Sequence, residues 1–373
     1  MNPFSYGTVV KEPFFYDRKE ECRRIVSTLS GGNNLVLFAP RRYGKTSLVF
    51  RAIEELEKMN FVCIYFDFMP VYSRESFIES YSKAILSKQS NIQKAVKKVA
   101  TLVKGIRPSL VFDTAGNPGF SMNFTDDKLS EKTLEDIIDL PEHIALETKR
   151  YVVVMDEFQE IIKLNGDNFE KLLRSKIQQH QHVNYLFLGS RTHLLSDMFN
   201  NKGRAFYNSA MLMQIEALPI NDSIEFLKTR FDATGVLLDD QTARYLIEEA
   251  GNIPYYIQLL AAEVWQDIIV SSHKQIHKGI IALCAERIVA LKSDYYTELY
   301  DRQSAYQKKM LNAIVISGEN VFSADYTKRF RLSAVSTTQK ALISLVESGI
   351  VEKVEGRYYI GDPFFKRFLL HYA

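Results

Sequence analysis

Two short stretches of this chain hold residue types in an order that suits phosphate chemistry. The first, "APRRYGKTSL" (residues 39–48), closes on Gly44-Lys45-Thr46, the critical end of a phosphate-binding loop. Ala39 stands where such loops begin with glycine, and Pro40, Arg41, Arg42 and Tyr43 lie between. Binding a triphosphate asks for backbone N–H groups turned inward, a lysine for the β and γ phosphates, a hydroxyl for magnesium and a helix whose positive end faces the anion. Residues 39–47 (Ala39, Pro40, Arg41, Arg42, Tyr43, Gly44, Lys45, Thr46 and Ser47) are therefore the expected nucleotide contacts, with Thr46 supplying the hydroxyl. Alanine serves at position 39 provided its φ is negative.

The second stretch is "YVVVMDEFQE". Its apolar residues 152–155 read as a buried strand that delivers Asp156 and Glu157 to the C-terminal edge of a sheet, where open α/β folds bind their ligands. Adjacent carboxylates offer two tasks: one holds magnesium through water, and the next orients and deprotonates an attacking water. A third strand end, "NYLFLGSRTHLL", brings Ser190, Arg191 and Thr192 to the same edge. Ser190 is open to two readings, a hydrogen-bonding partner of the γ-phosphate or attacking water, and a helix N-cap.

Elements of the right kind surround these residues. Between residues 35 and 215 short β-rich runs alternate with helical stretches, with strands expected at 35–38, 61–68, 151–155, 185–188 and 211–215. Most are continuous apolar runs, as in parallel strands covered on both faces. Residues 88–127 interrupt the rhythm. A helical face carrying Lys88, Lys94, Lys97, Lys98, Lys104 and Arg107 leads into a hairpin around Gly-Asn-Pro-Gly, and is either a solvated surface or a contact for phosphate or a partner. After Pro219 the periodicity is helical, with N-caps expected at Asn221 or Asp222 and at Asp239 or Asp240, and a stop at Gly251. From residue 301 three helices precede a hairpin turning at Glu355-Gly356, the order of a winged helix. Ser336 and Gln339 have capping-box spacing in its third helix, whose buried stripe is Leu342, Leu345 and Val346.

Composition narrows the partners only a little. With 373 residues, 46% of them hydrophobic, the chain can build more than one core, and a net charge of +2 excludes a global basic field. Cys22, Cys63 and Cys284 lie far apart, which argues against a disulfide framework or zinc site and for buried thiols in a reducing compartment. No leader pattern and no apolar run near the ~20 residues of a membrane span is visible, so a cytoplasmic protein without a membrane partner is expected.

Taken together, "FYDRKEE", "APRRYGKTSL", "VVVMDEFQE", "LFLGSRTHLL", "GRAFYNSA" and "GNIPYYIQLL" resemble the archaeal-type ATPase family, a branch of the AAA+/STAND P-loop NTPases related to origin-recognition initiators. The resemblance covers residues 4–265 and implies an ASCE-type α/β fold: a five-stranded parallel sheet with the Walker A strand central, a helical lid and ATP between them. It implies Lys45 and Thr46 as Walker A ligands, Asp156 as the magnesium-binding Walker B acid, Glu157 as catalytic base and Ser190 as sensor. Arg204 matches an arginine before the last core strand, with Arg191 its nearest competitor as charge stabiliser, acting in cis or from a neighbouring subunit of an oligomer. Pro254, in Gly251-Asn252-Ile253-Pro254, matches the Gly-x-Pro lid signature of signalling STAND proteins and implies nucleotide sensing by backbone packing. Arg18 and Glu20 match charged positions of the opening motif, and Val9, Val10 and Phe14 are candidates for an adenine pocket or for ordinary core.

The expected organisation is an ATPase core over residues 1–218, a helical lid over 219–300 and a winged helix over 301–373. The expected ligands are ATP or ADP with Mg2+. Double-stranded DNA would meet Ser336, Thr337, Thr338 and Lys340, with Lys328, Arg329, Arg331, Lys353 and Arg357 on phosphates. The alternative is a STAND-like signalling module whose nucleotide state regulates a protein partner.

Overall fold

The structure, a computed structural model, describes residues 2–9, 14–89, 92–103, 105–112, 118–124, 130–145, 149–164, 166–271, 274–354 and 356–372. The chain divides into two compact units, one of residues 18–39 and 45–215, the other of residues 1–17, 40–44 and 216–373.

The first unit is built on strands β1 (Leu35–Phe38), β2 (Val62–Asp67), β3 (Ile106–Phe112), β4 (Pro118–Phe124), β5 (Tyr151–Asp156), β6 (Val183–Gly189) and β7 (Met211–Gln214). Five of them form a parallel sheet in the order β2-β5-β6-β1-β7. Every residue of β5 and β6 is buried, which explains why both read as unbroken apolar runs. The strand feeding the phosphate loop is interior, between β6 and β7, but β6 holds the middle position, so the expectation of a central Walker A strand needs that correction. Strands β1 and β2 follow one another in the chain yet are separated by β5 and β6, and such a reversal opens a crevice at the carboxyl ends of the strands. Below that edge the core is aromatic: Phe68, Phe77, Phe158, Phe169, Phe187, Phe199 and Phe206 are fully buried. Removing one such ring costs about 3–5 kcal/mol.

The interrupting segment contains the helix Ile92–Leu102 and the antiparallel pair β3–β4, as the hairpin reading anticipates. Of its Gly-Asn-Pro-Gly motif, Pro118 and Gly119 already belong to β4, while Gly116 and Asn117 lie outside the described residues, as do Lys104, Val10 and Glu355. Lys97 and Lys98 are exposed.

In the second unit, the helices Ile220–Asp232, Asp240–Glu249, Pro254–Ser271, Lys278–Leu291 and Ser293–Asp301 precede the winged-helix elements. Those are the helices Ala305–Ile316, Ala324–Arg329 and Val335–Glu347, the hairpin β8 (Val351–Val354) and β9 (Arg357–Ile360), and a closing helix Pro363–Tyr372. One continuous core runs through all of them, from Leu227 and Leu260 to Leu345, Phe365 and Leu369. The closing helix buries the tail aromatics Phe364, Phe365 and Phe368.

Several helix ends differ from the sequence expectation. The helix Ile220–Asp232 is preceded by Pro219 with no side-chain cap, so neither Asn221 nor Asp222 caps it. Asp239 does cap the next, accepting from the Thr242 N–H. Gly251, at φ 65, supplies the left-handed residue that follows it. The third winged helix starts after Ala334 without a capping box, whereas Ser304 and Gln307 form one at the start of the first. Thr338 lies four residues before Leu342 and seven before Leu345, on the buried stripe, so it faces inward, where its hydroxyl bonds the Tyr306 hydroxyl at 2.7 Å, and is removed from the exposed face.

All three cysteines are free and buried; burial pushes the Cys63 thiol up to about 12 and Cys284 up to about 11, so both stay unreactive. Among the described residues, no helix is long and apolar enough to cross a membrane.

Candidate active site

The C-terminal edge of the sheet gathers the residues picked out by type and spacing. Strand β1 runs into the loop, and the helix Lys45–Lys58 begins at the lysine itself, so its free N–H groups face the loop. Gly44 has φ 81, a conformation that glycine adopts without strain. Ala39 is buried and is not among the residues with positive φ, which is the condition for alanine in place of glycine. Thr46 follows Lys45 in the first turn, and Ser47 is buried beneath it.

Lys45 and Asp156 are both nearly buried, and the ammonium donates to Asp156 Oδ1 at 3.1 Å while lying 3.6 Å from Glu157 Oε1. A buried charge needs a partner, and these three residues satisfy one another. The Glu157 N–H also donates to Asp156 Oδ1, at 2.8 Å. Glu157 itself sits in the left-handed region at φ 49, a conformation that costs an ordinary residue roughly 1–2 kcal/mol. The next residue, Phe158, is locked among Phe187, Phe206 and Phe68, which holds the turn in that shape. The Ser190 hydroxyl donates to Glu157 Oε2 at 3.0 Å. Helix Thr192–Asn200 has Arg191 at its cap position and no side-chain cap bond, so the N-cap reading of Ser190 gives way to the contact with Glu157.

Three further residues enter this cluster that sequence reasoning missed. Tyr65 on β2 donates its hydroxyl to Asp156 Oδ2 and stacks on Phe50, with ring centroids 5.1 Å apart. Burial, then the neighbouring Asp156 charge, pushes this phenol well up, so it remains a donor. Asp67, exposed at the end of β2, pairs in register with Asp156; partial desolvation raises its carboxyl, while the Met69 N–H it accepts pulls the other way. Gln159 is buried and donates to Glu157 Oε2. A signal for the first two was present: Tyr65 and Asp67 are two apart at the end of the expected strand 61–68, and alternation puts them on one face. What was missing was the neighbour relation between β2 and β5.

Arg204 is not brought to this group. Its guanidinium forks onto buried Glu170, at 2.6 and 3.3 Å, and also reaches Asp197 at 3.3 Å. A bidentate pair on a buried carboxylate fixes the arginine within the fold. Arg191 lies 3.9 Å from Glu160. Arg18 is buried and pairs with Glu21 at 2.7 Å, while Glu20 pairs with Arg23 on the surface.

The tip of the phosphate loop, residues 40–44, belongs to the second unit. Arg42 has φ 71; its carbonyl accepts from the Tyr255 N–H at 3.4 Å, and its guanidinium lies over the rings of Tyr256 and Tyr255 at 4.9 and 5.5 Å. The guanidinium also donates to the Tyr256 hydroxyl and lies 3.7 Å from Asp362, the residue before the closing helix. Pro254 starts the helix that carries both tyrosines, where its missing N–H costs nothing. Burial pushes Glu352 on β8 up to about 7, with Arg42 and Arg41 pulling in the opposite direction. Val9 is exposed, and Phe14 lies under Arg230, with 4.8 Å between the guanidinium and the ring centre.

Among the described residues, no group of three or more His, Cys, Asp or Glu side chains forms a metal cage. The donors at Asp156 and Thr46 are hard oxygens, which suit magnesium completing its shell with phosphate oxygens and water.

None of the curated proteins matches the chain. Among solved structures, the Walker-type ATPase PABY2304 of Pyrococcus abyssi is similar over 99% of both chains, at 19% identity and a TM-score of 0.67. The Aeropyrum pernix ORC2 protein is similar too: its ADPNP-ADP complexes align over 98% of this chain and 96% of that one at 13% identity and a TM-score of 0.56. Its ADP form aligns over 99% and 95%, also at 13% identity, with a TM-score of 0.53. These likenesses establish a P-loop NTPase fold. A model described as a probable winged helix domain matches residues 294–371. The model of an ATPase domain predominantly from Archaea matches residues 15–260, and the chain belongs to that family.

Proposed function

We propose that the protein binds ATP with magnesium and hydrolyses it to ADP and phosphate. The observation that carries this reading is the convergence of Lys45, Asp156 and Glu157 at the crevice edge of the sheet, with their charges mutually satisfied and mostly buried. In the proposed complex, residues 39–47 cradle the phosphates, and Lys45 turns from the two carboxylates to the β and γ phosphates. Thr46 and Asp156 would hold the magnesium ion, which supplies charge neutralisation at phosphate oxygens. Glu157, held from the far side by Ser190, orients the attacking water and accepts its proton. ORC2, a protein of similar fold, is described in complexes with ADPNP and ADP, which agrees with an adenine nucleotide here.

The nucleotide state is proposed to act on the winged helix and through it on double-stranded DNA. Ser336, Thr337, Gln339 and Lys340 are exposed along its third helix, and Lys328, Arg329, Arg331, Lys353 and Arg357 are exposed around it. Arg357 is paired with Glu319 at 3.0 Å, so Lys340 and Lys353 are the stronger phosphate ligands. A second reading, a STAND-like switch acting on a protein partner, is favoured by the grip of Tyr255, Tyr256 and Asp362 on Arg42, within the loop that would meet the phosphates. In that reading the lid senses nucleotide through the backbone near Pro254.

Turnover and binding of MgATP by wild type and Glu157→Gln test the central claim. Wild type should turn over, and the variant should lose at least about a hundredfold in rate while keeping its affinity. Equal rates in the two proteins would remove Glu157 as base. A duplex-DNA shift at low salt, in ATP and in ADP, separates the two readings of the winged helix: no shift in either state favours the protein partner.

A further inference from the structure

We propose that Gln159 is a positioning residue for ATP hydrolysis, setting the carboxylate of Glu157 from below; this rests on the ATPase reading above. Three observations meet at this side chain. Gln159 is 3% exposed and its amide nitrogen donates to Glu157 Oε2, the same oxygen that accepts from the Ser190 hydroxyl at 3.0 Å and, at 3.4 Å, from the Ser190 N–H. Its amide oxygen is buried without a hydrogen-bond partner, an arrangement that packing alone disfavours, since an apolar side chain of the same shape would avoid the cost. The slot it occupies exists only because residue 189 is glycine: a Cβ there would stand 2.1 Å from that amide oxygen and 2.2 Å from Leu195 Cδ1.

The chain thus tolerates an unsatisfied buried polar atom and a glycine at the end of β6 to keep one N–H donor on Glu157. The target is a residue whose backbone is already left-handed, and whose other oxygen faces Lys45 at 3.6 Å. With Oε2 pinned by Ser190 and Gln159, Oε1 is the oxygen left to meet a water. Pinning restricts rotation of the carboxylate, and misplacement of a catalytic group by about 1 Å can cost about a hundredfold in rate.

The experiment uses the full chain and compares wild type with Gln159→Met, of similar shape and without a donor, Gln159→Glu, of the same shape with a carboxylate, and each of these combined with Glu157→Gln. MgATP turnover, MgATP affinity by calorimetry and thermal midpoint are read for each. Both single variants should lose about tenfold or more in kcat with nucleotide affinity held; the midpoint should hold in Gln159→Met and fall in Gln159→Glu, which sets a second buried carboxylate against Glu157. In the Glu157→Gln background neither should lose more, because the residue they position has been removed. Wild-type kcat in Gln159→Met, or the same fractional loss with and without Glu157, overturns the proposal. So does a parallel fall in midpoint and affinity in both variants, which would make Gln159 a packing residue. A wild-type protein that binds MgATP without turnover overturns the ATPase reading and this proposal with it; wild-type turnover with unaffected variants overturns this proposal alone.

Discussion

The crevice edge of the sheet and the exposed face of the winged helix present charge in opposite ways. At the edge, Lys45, Asp156 and Glu157 are mostly buried, and each charge meets the next within 3.1 to 3.6 Å. On the winged helix, Ser336, Lys340 and Lys353 stand in solvent. Low dielectric makes the first group interdependent, so a single removal leaves the others uncompensated. Water and salt screen the second, where contributions are small and nearly independent. One region behaves as a unit and the other as a sum.

The largest test of that contrast is Lys45→Ala. Removing the ammonium leaves two neighbouring carboxylates in a buried site, so MgATP affinity should fall by about a hundredfold or more, and stability without nucleotide by about 3 kcal/mol. Calorimetric titration and denaturant unfolding measure both; an unchanged affinity would break the phosphate-loop reading. Lys340→Ala should do far less. Duplex-DNA affinity should fall a few-fold, with the slope of log affinity against log salt reduced by about one, and unfolding should stay within about 0.5 kcal/mol of wild type. A loss independent of salt would show that Lys340 is not meeting phosphate.

An effect confined to one range of pH is expected where the second unit departs from the pattern of solvated charge. Glu352 is half-buried and raised by burial to about 7, so the folded chain holds its proton more tightly than the unfolded one. Its contribution to stability is fully present below the ordinary carboxylate range and fades as pH rises through about 7. Glu352→Gln should therefore unfold like wild type near pH 4 and be more stable at pH 8, by on the order of 1–2 kcal/mol. Parallel stability curves across that range would place Glu352 in solvent.

Much of the edge was legible because it is local. The loop that ends in Gly44-Lys45-Thr46 follows an apolar run directly, and Asp156-Glu157 and Ser190 each close another, so spacing along single strands brings them to one edge. Tyr65 and Gln159 escaped for the opposite reason. Tyr65 matters because β2 lies beside β5, and Gln159 because Gly189 on β6 leaves room for its amide, both facts of neighbourhood between strands distant in sequence. The partner of Arg204 is hidden on the same account: Glu170 lies on the helix Gly166–Ile177, and motif position says nothing about that pairing. In the winged helix the helices and hairpin are legible from periodicity, and the same periodicity puts Thr338 on the inward stripe, four residues before Leu342 and seven before Leu345, and off the face assigned to DNA.

The class of fold and the residues of the phosphate loop and acidic strand end can be read along the chain, because hydrophobic period and turn chemistry act over a few residues. Packing between distant segments selects the donors that hold Asp156 and Glu157, ties Arg204 to Glu170, and sets Arg42 against Tyr255, Tyr256 and Asp362. Those choices depend on burial and strand order, which raise the cost of an unpaired charge and so select its partner from wherever in the chain one is brought near.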